Sequence, residues 1–223
     1  MGDASVIAID GPVASGKTAV GRLLAQRLGY RFLDTGTMYR ALTWIALKEG
    51  TGANDSPGLA RLARKRRIEV VFQQNRGVSL LVDGQDVTPH LRRPEVERQV
   101  SLVAQVAGVR KVLSGQQRRI ARDGPVVMAG RDIGTVVLAD APLKVFLAAS
   151  VEERARRRYS ELHSARQDTS FQQVLEELEE RDRLDTNRKV APLRQADDAV
   201  TIDTDGLSVE QVVERILGLV RQR

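Results

Sequence analysis

A chain of 223 residues with 42% hydrophobic residues is long enough to bury one sizeable core, with room for a small inserted subdomain. The absence of cysteine excludes disulfides and thiolate metal sites, and the two histidines, His90 and His163, lack metal-ligand spacing, so we expect neither a zinc centre nor a histidine base. The net charge of +6 is compatible with a nucleic acid, an anionic surface or phosphorylated small molecules as partners.

The N-terminal segment MGDASVIAID has an acidic residue where a signal peptide needs basic ones. No apolar run in the chain approaches the roughly 20 residues that a membrane-spanning helix needs. We therefore expect a cytoplasmic protein that makes no contact with a membrane. We also expect a monomer.

The basic residues are clustered, but not in the way that is typical of a nucleic-acid-binding protein. They concentrate in RLARKRR (61–67), at Arg118 and Arg119, and in ERARRRY (153–159), and acidic residues interleave in EELEERD. The chain has no basic tail, and aromatic residues are too scarce, at 4%, to alternate with the basic ones. We expect no nucleic-acid partner and interpret RLARKRR as a solvated helix end.

The first predicted elements are alternating strands and helices. SVIAID (5–10) and YRFLDTG (30–36) resemble strand ends that run into loops. Helical spacing follows them at 17–28 and at 37–49, and Gly50 stops the second helix. This βαβα order favours a parallel sheet.

The period of the hydrophobic pattern changes to two between about 57 and 94. The segments IEVVFQ and VSLLVD flank the turn NRG and predict an antiparallel hairpin inserted into the α/β body. The residues that share one face are Ile68, Val70 and Phe72 in the first strand, and Val78, Leu80 and Val82 in the second.

Helical spacing returns from Pro94 to Arg122, and three more buried strands are predicted after it. These strands are VVMAGRD (126–132), LKVFLAA (143–149) and AVTIDT (199–204). Capping-box spacing predicts helix starts at Ser150 with Glu153 and at Ser208 with Gln211. The whole pattern predicts an α/β fold with a parallel sheet, flanking helices and a small antiparallel insert.

The loop after the first strand, GPVASGKT (11–18), matches the phosphate-binding pattern G-x-x-x-x-G-K-[ST] and is called the P-loop. Glycines let the backbone N–H groups point at phosphate oxygens, Lys17 supplies positive charge, and the Thr18 hydroxyl can ligate Mg²⁺. A chance glycine-rich turn with a surface lysine is the alternative, but the preceding strand and following helix are the context that the motif requires. The residues predicted to bind ATP are Gly11, Pro12, Val13, Ala14, Ser15, Gly16, Lys17, Thr18 and Ala19.

Four further motifs follow the P-loop in order: DTGTMYR (34–40), GRDIG (130–134), ERARRR (153–158) and ERDRLDTNRKVAPL (180–193). Together they resemble the nucleoside monophosphate kinases, and among these most closely the bacterial cytidylate kinases. The resemblance covers nearly the whole chain. It implies a P-loop nucleoside monophosphate kinase fold with a five-stranded parallel sheet in a single domain, 1–223. It also implies a monophosphate-binding insert at about 57–94 and a helical lid at about 150–168.

Three arginines, Arg154, Arg157 and Arg158, share one helix face, where they repel one another unless an anion approaches. A solvated face relieved by Glu152 and Glu153 is the alternative that the residues leave open. The resemblance implies a mobile lid that closes over ATP. The predicted catalytic residues are Lys17, Arg131, Arg154, Arg157 and Arg158.

The resemblance also implies residues for the acceptor. Thr35 and Arg40 would lie in the monophosphate pocket, with Arg40 and Arg131 on the phosphate. The base would contact Ser101, Arg110 and Asp132, and the sugar and phosphates would contact Arg181, Asp185 and Arg188.

Several of these residues have an ordinary structural alternative. Arg181 with Asp185 has the spacing of a helix ion pair worth about 0.3–0.5 kcal/mol, and Asp132 could cap the following segment. Taken singly, Ser101 and Arg110 are also compatible with purely structural roles. Thr35 stands where other members carry serine, and the hydroxyl is retained.

The expected activity is phosphoryl transfer from ATP to CMP and dCMP, with Mg²⁺ bound by Thr18 through the nucleotide phosphates and water. An arginine-rich P-loop protein suits this task, because phosphoryl transfer depends on positioning and charge stabilisation. The alternatives are another small-molecule P-loop kinase, acting on AMP, UMP, shikimate or gluconate, and a P-loop protein that binds nucleic acid.

Overall fold

The computed structural model describes residues 5–73, 77–164 and 168–222. The chain divides into two compact units. The first unit comprises Met1–Tyr30 and Val126–Arg223, and the second comprises Arg31–Pro125. Residues 74–76 of the predicted hairpin and 165–167 of the predicted lid lie outside the described residues.

The secondary structure follows the predicted alternation. The strands are β1 (Val6–Asp10), β2 (Arg31–Asp34), β3 (Ile68–Gln73), β4 (Gly77–Val82), β5 (Gln85–Asp86), β6 (Val126–Gly130), β7 (Leu143–Ala148) and β8 (Val200–Asp203). The α-helices are α1 (Lys17–Leu28), α2 (Gly36–Lys48), α3 (Ser56–Lys65), α4 (Pro94–Val103), α5 (Ala107–Arg122), α6 (Val151–Ser164), α7 (Phe171–Asn187) and α8 (Val209–Arg221). Short 3-10 and π segments lie at Thr88–His90 and Ile133–Val137.

The main sheet of the described chain has five strands in the order β2-β6-β1-β7-β8. β1 pairs in parallel with β6 and β7, and β7 pairs in parallel with β8. Ile7, Ala8 and Ile9 are completely buried, as expected for a strand covered on both faces. Helix α1 packs against β6 and α8. The predicted fold class is confirmed. The P-loop follows the carboxyl end of β1, the central strand, and ligands of open parallel sheets bind at that end of the strands.

The second unit contains a three-stranded antiparallel sheet in the order β3-β4-β5. Ile68 lies opposite Val82, Val70 opposite Leu80, and Phe72 opposite Val78. The residues predicted to share one face are therefore cross-strand partners. In the same unit, α2 packs against α4, and α3 packs against α5.

The helical pattern predicted from Pro94 to Arg122 is interrupted, because α4 ends at Val103 and α5 begins at Ala107. Helix α5 packs closely on α3 just after this interruption. A Cβ on Gly108 would lie 2.5 Å from the Cβ of Ala60, so the two helices meet where one residue has no side chain. Hydrophobic periodicity does not report such a tertiary contact.

Membrane insertion by a helix is not supported by the described residues, since none of their helices combines the length and apolar character needed for a span.

Candidate active site

The P-loop lies between the end of β1 and the start of α1. Gly11 has a φ of 150°, and a Cβ at this position would overlap the carbonyl oxygen of Leu147. Gly16 caps α1 with a φ of 89°, and Ala14 also has a positive φ, 58°. These conformations curl the loop, and a loop of this kind directs backbone N–H groups toward an anion at the start of a helix. The residues predicted to bind ATP therefore occupy the expected strand-to-helix connection.

Lys17 is the first residue of α1 and is buried. Its ammonium donates to the carbonyl oxygen of Pro12 and to Oγ of Ser15, the latter at 3.2 Å. The amino group is thus held across the loop rather than directed into solvent. Thr18, in the same turn, is half-buried.

Arg154 is buried at the start of α6 and is fixed by three partners. Its Nε donates to the carbonyl oxygen of Ala149 and its Nη1 to that of Val13, both at 3.2 Å. Its Nη2 forms an ion pair with Asp182 of α7 at 2.6 Å. Arg154 therefore joins the P-loop to two helices.

Arg157 lies one turn further along α6 and also faces the P-loop. Its Nη1 and Nη2 donate to Oγ1 and to the carbonyl oxygen of Thr204 at 3.0 and 2.6 Å, and its Nε pairs with Glu153 at 3.1 Å. Nη1 lies 4.0 Å from the place where a Cβ on Gly16 would stand. This guanidinium is therefore beside the loop that is predicted to hold the phosphates.

Arg158 is the most exposed of the three arginines, with 31% of its side chain accessible. It pairs with Glu161 at 3.1 Å, and Glu161 is itself 67% exposed. Each arginine on this face thus has an acidic partner, and of the two acids that the solvated-face alternative named, Glu153 is the one found in these three pairs. The partners differ in burial, so the three side chains are not equivalent.

Four of the predicted acceptor residues form one ion network in the first unit. Nε of Arg131 pairs with Asp185 at 2.8 Å, and Nη2 of Arg188 pairs with Asp132 at 3.3 Å. Nη1 of Arg188 lies 3.9 Å from Asp185, which connects the two pairs. Burial alone would raise the pKa of Asp185, but the charges of Arg131, Arg188 and Arg181 bring this pKa below its ordinary value.

Asp132 makes no side-chain cap to the π segment that follows it. Instead its carboxylate faces Arg188, whose Nε donates to the carbonyl oxygen of Ala191. The capping alternative is therefore not what the structure contains.

Asp10, the last residue of β1, is a buried carboxylate. The sequence pattern predicted it only as part of a strand. Its Oδ1 accepts from the N–H of Ile133 at 2.8 Å, and its Oδ2 accepts from that of Gly134 at 2.7 Å. Burial raises the pKa of Asp10 to about 6, although both N–H groups oppose the shift. One carboxylate thus connects the residue before the P-loop to the segment after Arg131 and Asp132. An acidic residue that ends an apolar strand was the available signal.

In the second unit, the predicted acceptor residues lie on three helices. Thr35 is buried at the N-cap of α2, and Arg40 is buried in the second turn of that helix. Nε of Arg40 pairs with Glu97 of α4 at 2.7 Å. Glu97 was not among the residues identified from the sequence.

Arg110 is buried on α5, and Ser101 is half-buried on α4. Nη1 of Arg110 donates to the carbonyl oxygen of Ala104 at 3.0 Å, and the guanidinium lies over the ring of Tyr39, 5.4 Å from its centroid. Tyr39 belongs to the DTGTMYR motif, but the sequence predicts no role for it. The stack fixes the plane of Arg110.

A P-loop at the end of the central parallel strand, an arginine-bearing helix beside it and an antiparallel insert define a P-loop kinase of the nucleoside monophosphate kinase fold. Residues 7–222 match the family model for cytidylate kinase. The chain belongs to the cytidylate kinase family, which confirms the resemblance seen in its motifs.

Individual relatives give the same result. A cytidylate kinase of Geobacillus kaustophilus is 50% identical over 217 residues, covering 97% of this chain and 96% of that protein. One from Desulforamulus reducens is 47% identical over 222 residues, covering 100% and 99%. A solved gluconokinase from Sinorhizobium meliloti, 16% identical, superposes with a TM-score of 0.50 over 97% of this chain and 91% of that one, and shares the fold alone.

Proposed function

We propose that the protein transfers the γ-phosphoryl group of ATP to a phosphate oxygen of CMP, and also of dCMP, giving ADP and CDP or dCDP. The observation that carries this proposal is the family match from 7 to 222, which includes the P-loop and every residue predicted to bind the acceptor. The transfer is direct and in line. A bond from the acceptor oxygen to the γ-phosphorus forms as the bond to the ADP oxygen breaks, without a covalent enzyme intermediate.

The P-loop unit supplies the charge that this transfer needs. Lys17 turns from Pro12 and Ser15 to the β- and γ-phosphates, and Arg157, beside Gly16, stabilises charge on the group in transit. Arg158, half-buried and paired with the exposed Glu161, closes with the lid. Arg154 contributes by fixing the Val13 carbonyl, which holds the loop in shape.

Magnesium suits the residues at this site. The half-buried Thr18 offers a hydroxyl at the helix end beside Lys17, and the described residues contain no group of three or more His, Cys, Asp or Glu that could form a separate metal cage. Mg²⁺ is commonly held by substrate phosphates and water with few protein ligands. When bound, it would neutralise charge on the β- and γ-phosphates.

The acceptor is recognised by charge and by hydrogen-bond pattern. Arg40 and Arg131 take the CMP phosphate, and Arg181, Asp185 and Arg188 take the sugar and phosphates. Asp132, Ser101 and Arg110 take the cytosine base. The buried ion network of Arg131, Asp185, Arg188 and Asp132 supports these roles, because such a network is preorganised for a polar ligand.

The remaining parts of the proposal rest on the family resemblance. They are a cytoplasmic location, a monomeric state, nucleotides as the only partners, and a single domain in which about 57–94 forms the acceptor-binding insert and about 150–168 the lid.

An acceptor panel with ATP and Mg²⁺ tests the function directly. ADP release is measured by a coupled assay with CMP, dCMP, UMP, AMP, shikimate and gluconate as acceptors. We expect the highest kcat/KM with CMP, and dCMP as a second good acceptor. A higher value with any acceptor outside the cytidylates would replace the proposal, and salt-sensitive DNA binding without acceptor-dependent ATP use would favour the nucleic-acid alternative.

A further inference from the structure

Arg40 is held along one edge of its guanidinium by Glu97. Nε of Arg40 donates to Oε1 of Glu97 at 2.7 Å, and Nη2 donates to Oε2 at 3.4 Å. The side chains of Arg40 and Glu97 are only 9% and 15% exposed. Paired contacts of this kind set the plane of an arginine as well as its position.

The opposite edge of the same guanidinium lies against the first turn of α2. A Cβ on Gly36 would stand 2.7 Å from Nη1 of Arg40 and 3.8 Å from its Cζ. Nη1 therefore lies at the N-terminal end of a 13-residue helix, where the helix dipole also favours an anion. Gly36 leaves the space that this arrangement needs.

The charge around Arg40 is balanced by acidic groups on two sides. Burial opposes the charged form, but Glu97 and then Asp34 more than compensate, so the pKa of Arg40 is above its ordinary value. Oδ1 of Asp34 accepts from the N–H of Gly36 at 3.0 Å. The exposed Arg92 reaches the same Glu97 at 3.4 Å, so Glu97 retains a cationic neighbour if Arg40 shifts.

We infer that Glu97 is a positioning residue for the phosphate of the acceptor. It occupies the Nε and Nη2 edge of Arg40, and so leaves the Nη1 edge, beside the start of α2, for the phosphate oxygens. This inference rests on the proposed function for the identity of the acceptor. The group recognised is the phosphate monoester, because the cationic N–H donors on this edge suit an anion, and neither the base nor the sugar of CMP is charged.

Glu97→Gln tests the inference while keeping the length of the side chain. The amide nitrogen would face a guanidinium donor, so Arg40 loses its fixed orientation. We expect KM for CMP to rise about 10-fold or more, KM for ATP to remain unchanged, and the affinity for cytidine, which lacks the phosphate, to be unaffected by calorimetry. Glu95→Gln is the matched control, since Glu95 lies on the same helix and its contact with Arg93 is at 3.8 Å on exposed side chains.

Gly36→Ala provides an independent test, because the methyl group would displace Nη1 without touching Glu97. The same Cβ would lie 3.0 Å from Oδ1 of Asp34, so the better helix propensity of alanine only offsets part of the cost of these two close contacts. Urea denaturation establishes that the variant is folded, and its affinity for CMP should then fall. Gly115→Ala on α5 is the control, since a Cβ there meets no atom within 4 Å.

The outcomes are distinguishable. Loss of affinity for CMP and cytidine alike in both test variants would assign Glu97 and Gly36 to general structure and overturn the inference. Unchanged CMP affinity in either stably folded variant would overturn it as well. Since direct CMP binding is measured apart from turnover, a wild-type protein that binds CMP but does not phosphorylate it would refute the proposed function and leave the role of Glu97 still measurable.

Discussion

The buried Arg154 and the half-buried Asp182 form an ion pair at 2.6 Å, which joins the helix beside the P-loop to the helix that carries Arg181 and Asp185 and has Arg188 at its C-cap. The remaining donors of Arg154 bind the carbonyl oxygens of Val13 and Ala149. The sequence placed Arg154 in one group with Arg157 and Arg158. The structure separates it from them by burial, since 6% of the Arg154 side chain is exposed, compared with 26% and 31% for the other two.

Arg154→Ala should therefore lower stability as well as activity. Removing one partner of a fully buried ion pair typically costs about 3–5 kcal/mol. Because Asp182 is half-buried, the loss here should lie at the lower end of that range, and the Val13 carbonyl also loses its Arg154 donor. The free energy of unfolding, measured by urea denaturation, should fall by that order.

Arg158→Ala is the matched comparison on the same helix face. Its partner Glu161 is largely exposed, so stability should change by no more than about 0.5 kcal/mol. If Arg158 belongs to the closing lid, kcat should fall more than the affinity for CMP. Equal losses of stability in the two variants would contradict the distinction drawn between Arg154 and Arg158.

Replacing Lys17 with Met should reduce kcat by roughly 10²-fold or more, because the ammonium stabilises charge that develops on the transferred phosphoryl group. The fold should survive, because the hydrogen bonds from Lys17 to Pro12 and Ser15 stay within the loop. Steady-state kinetics and thermal melting measure the two effects. Turnover close to that of the wild type, with an unchanged melting temperature, would remove Lys17 from the mechanism.

Asp132→Asn should narrow the preference for CMP over UMP. A carboxylate accepts a hydrogen bond from the amino group of cytosine, whereas it repels the carbonyl oxygen that uracil has at the same position. The amide of asparagine can donate to that oxygen, so kcat/KM should fall for CMP and the ratio to UMP should shrink.

Arg110→Met is the control for base reading. It should weaken CMP without improving UMP, because it removes a donor and adds none. Both ratios come from one coupled assay at fixed ATP and Mg²⁺. A proportional loss for CMP and UMP in Asp132→Asn would show that Asp132 does not read the base, and would favour a structural role that includes its contact with Arg188.

The raised pKa of Asp10 predicts a pH dependence of stability. This carboxyl titrates at about 6 in the folded protein and near 3.8 when unfolded, so between these values the folded state binds more protons. The contribution of Asp10 to the free energy of unfolding should therefore fall as pH rises from about 4 to 7, by about 2–3 kcal/mol.

Asp10→Asn removes this titration. The free energy of unfolding of wild type and variant is measured by urea denaturation at several pH values. The value for the wild type should fall relative to that of the variant as pH rises. A difference that stays constant from pH 4.5 to about 7.5 would show that Asp10 does not titrate in this range.

The sequence by itself determined the features that depend on neighbouring residues. The P-loop is one contiguous segment whose glycines, lysine and threonine have a required spacing, and its place between a strand and a helix could be predicted. The residues that share one face of the hairpin followed from alternation, because side chains in a strand have a period of two, and β3 and β4 pair these residues across the strands. The family motifs supplied the predicted acceptor residues, by resemblance.

Only the tertiary structure decided how distant residues share their charges. Arg131 meets Asp185 across 54 positions of sequence, Arg40 meets Glu97 across 57, and Asp10 meets Gly134 across 124. Periodicity describes a single element, so it does not report such partners, nor the close approach of Gly108 on α5 to Ala60 on α3. A buried charge needs an opposite charge or a hydrogen-bond donor, and the fold supplies it from a residue that is distant in sequence. That physical requirement set the roles of Arg154, Glu97 and Asp10.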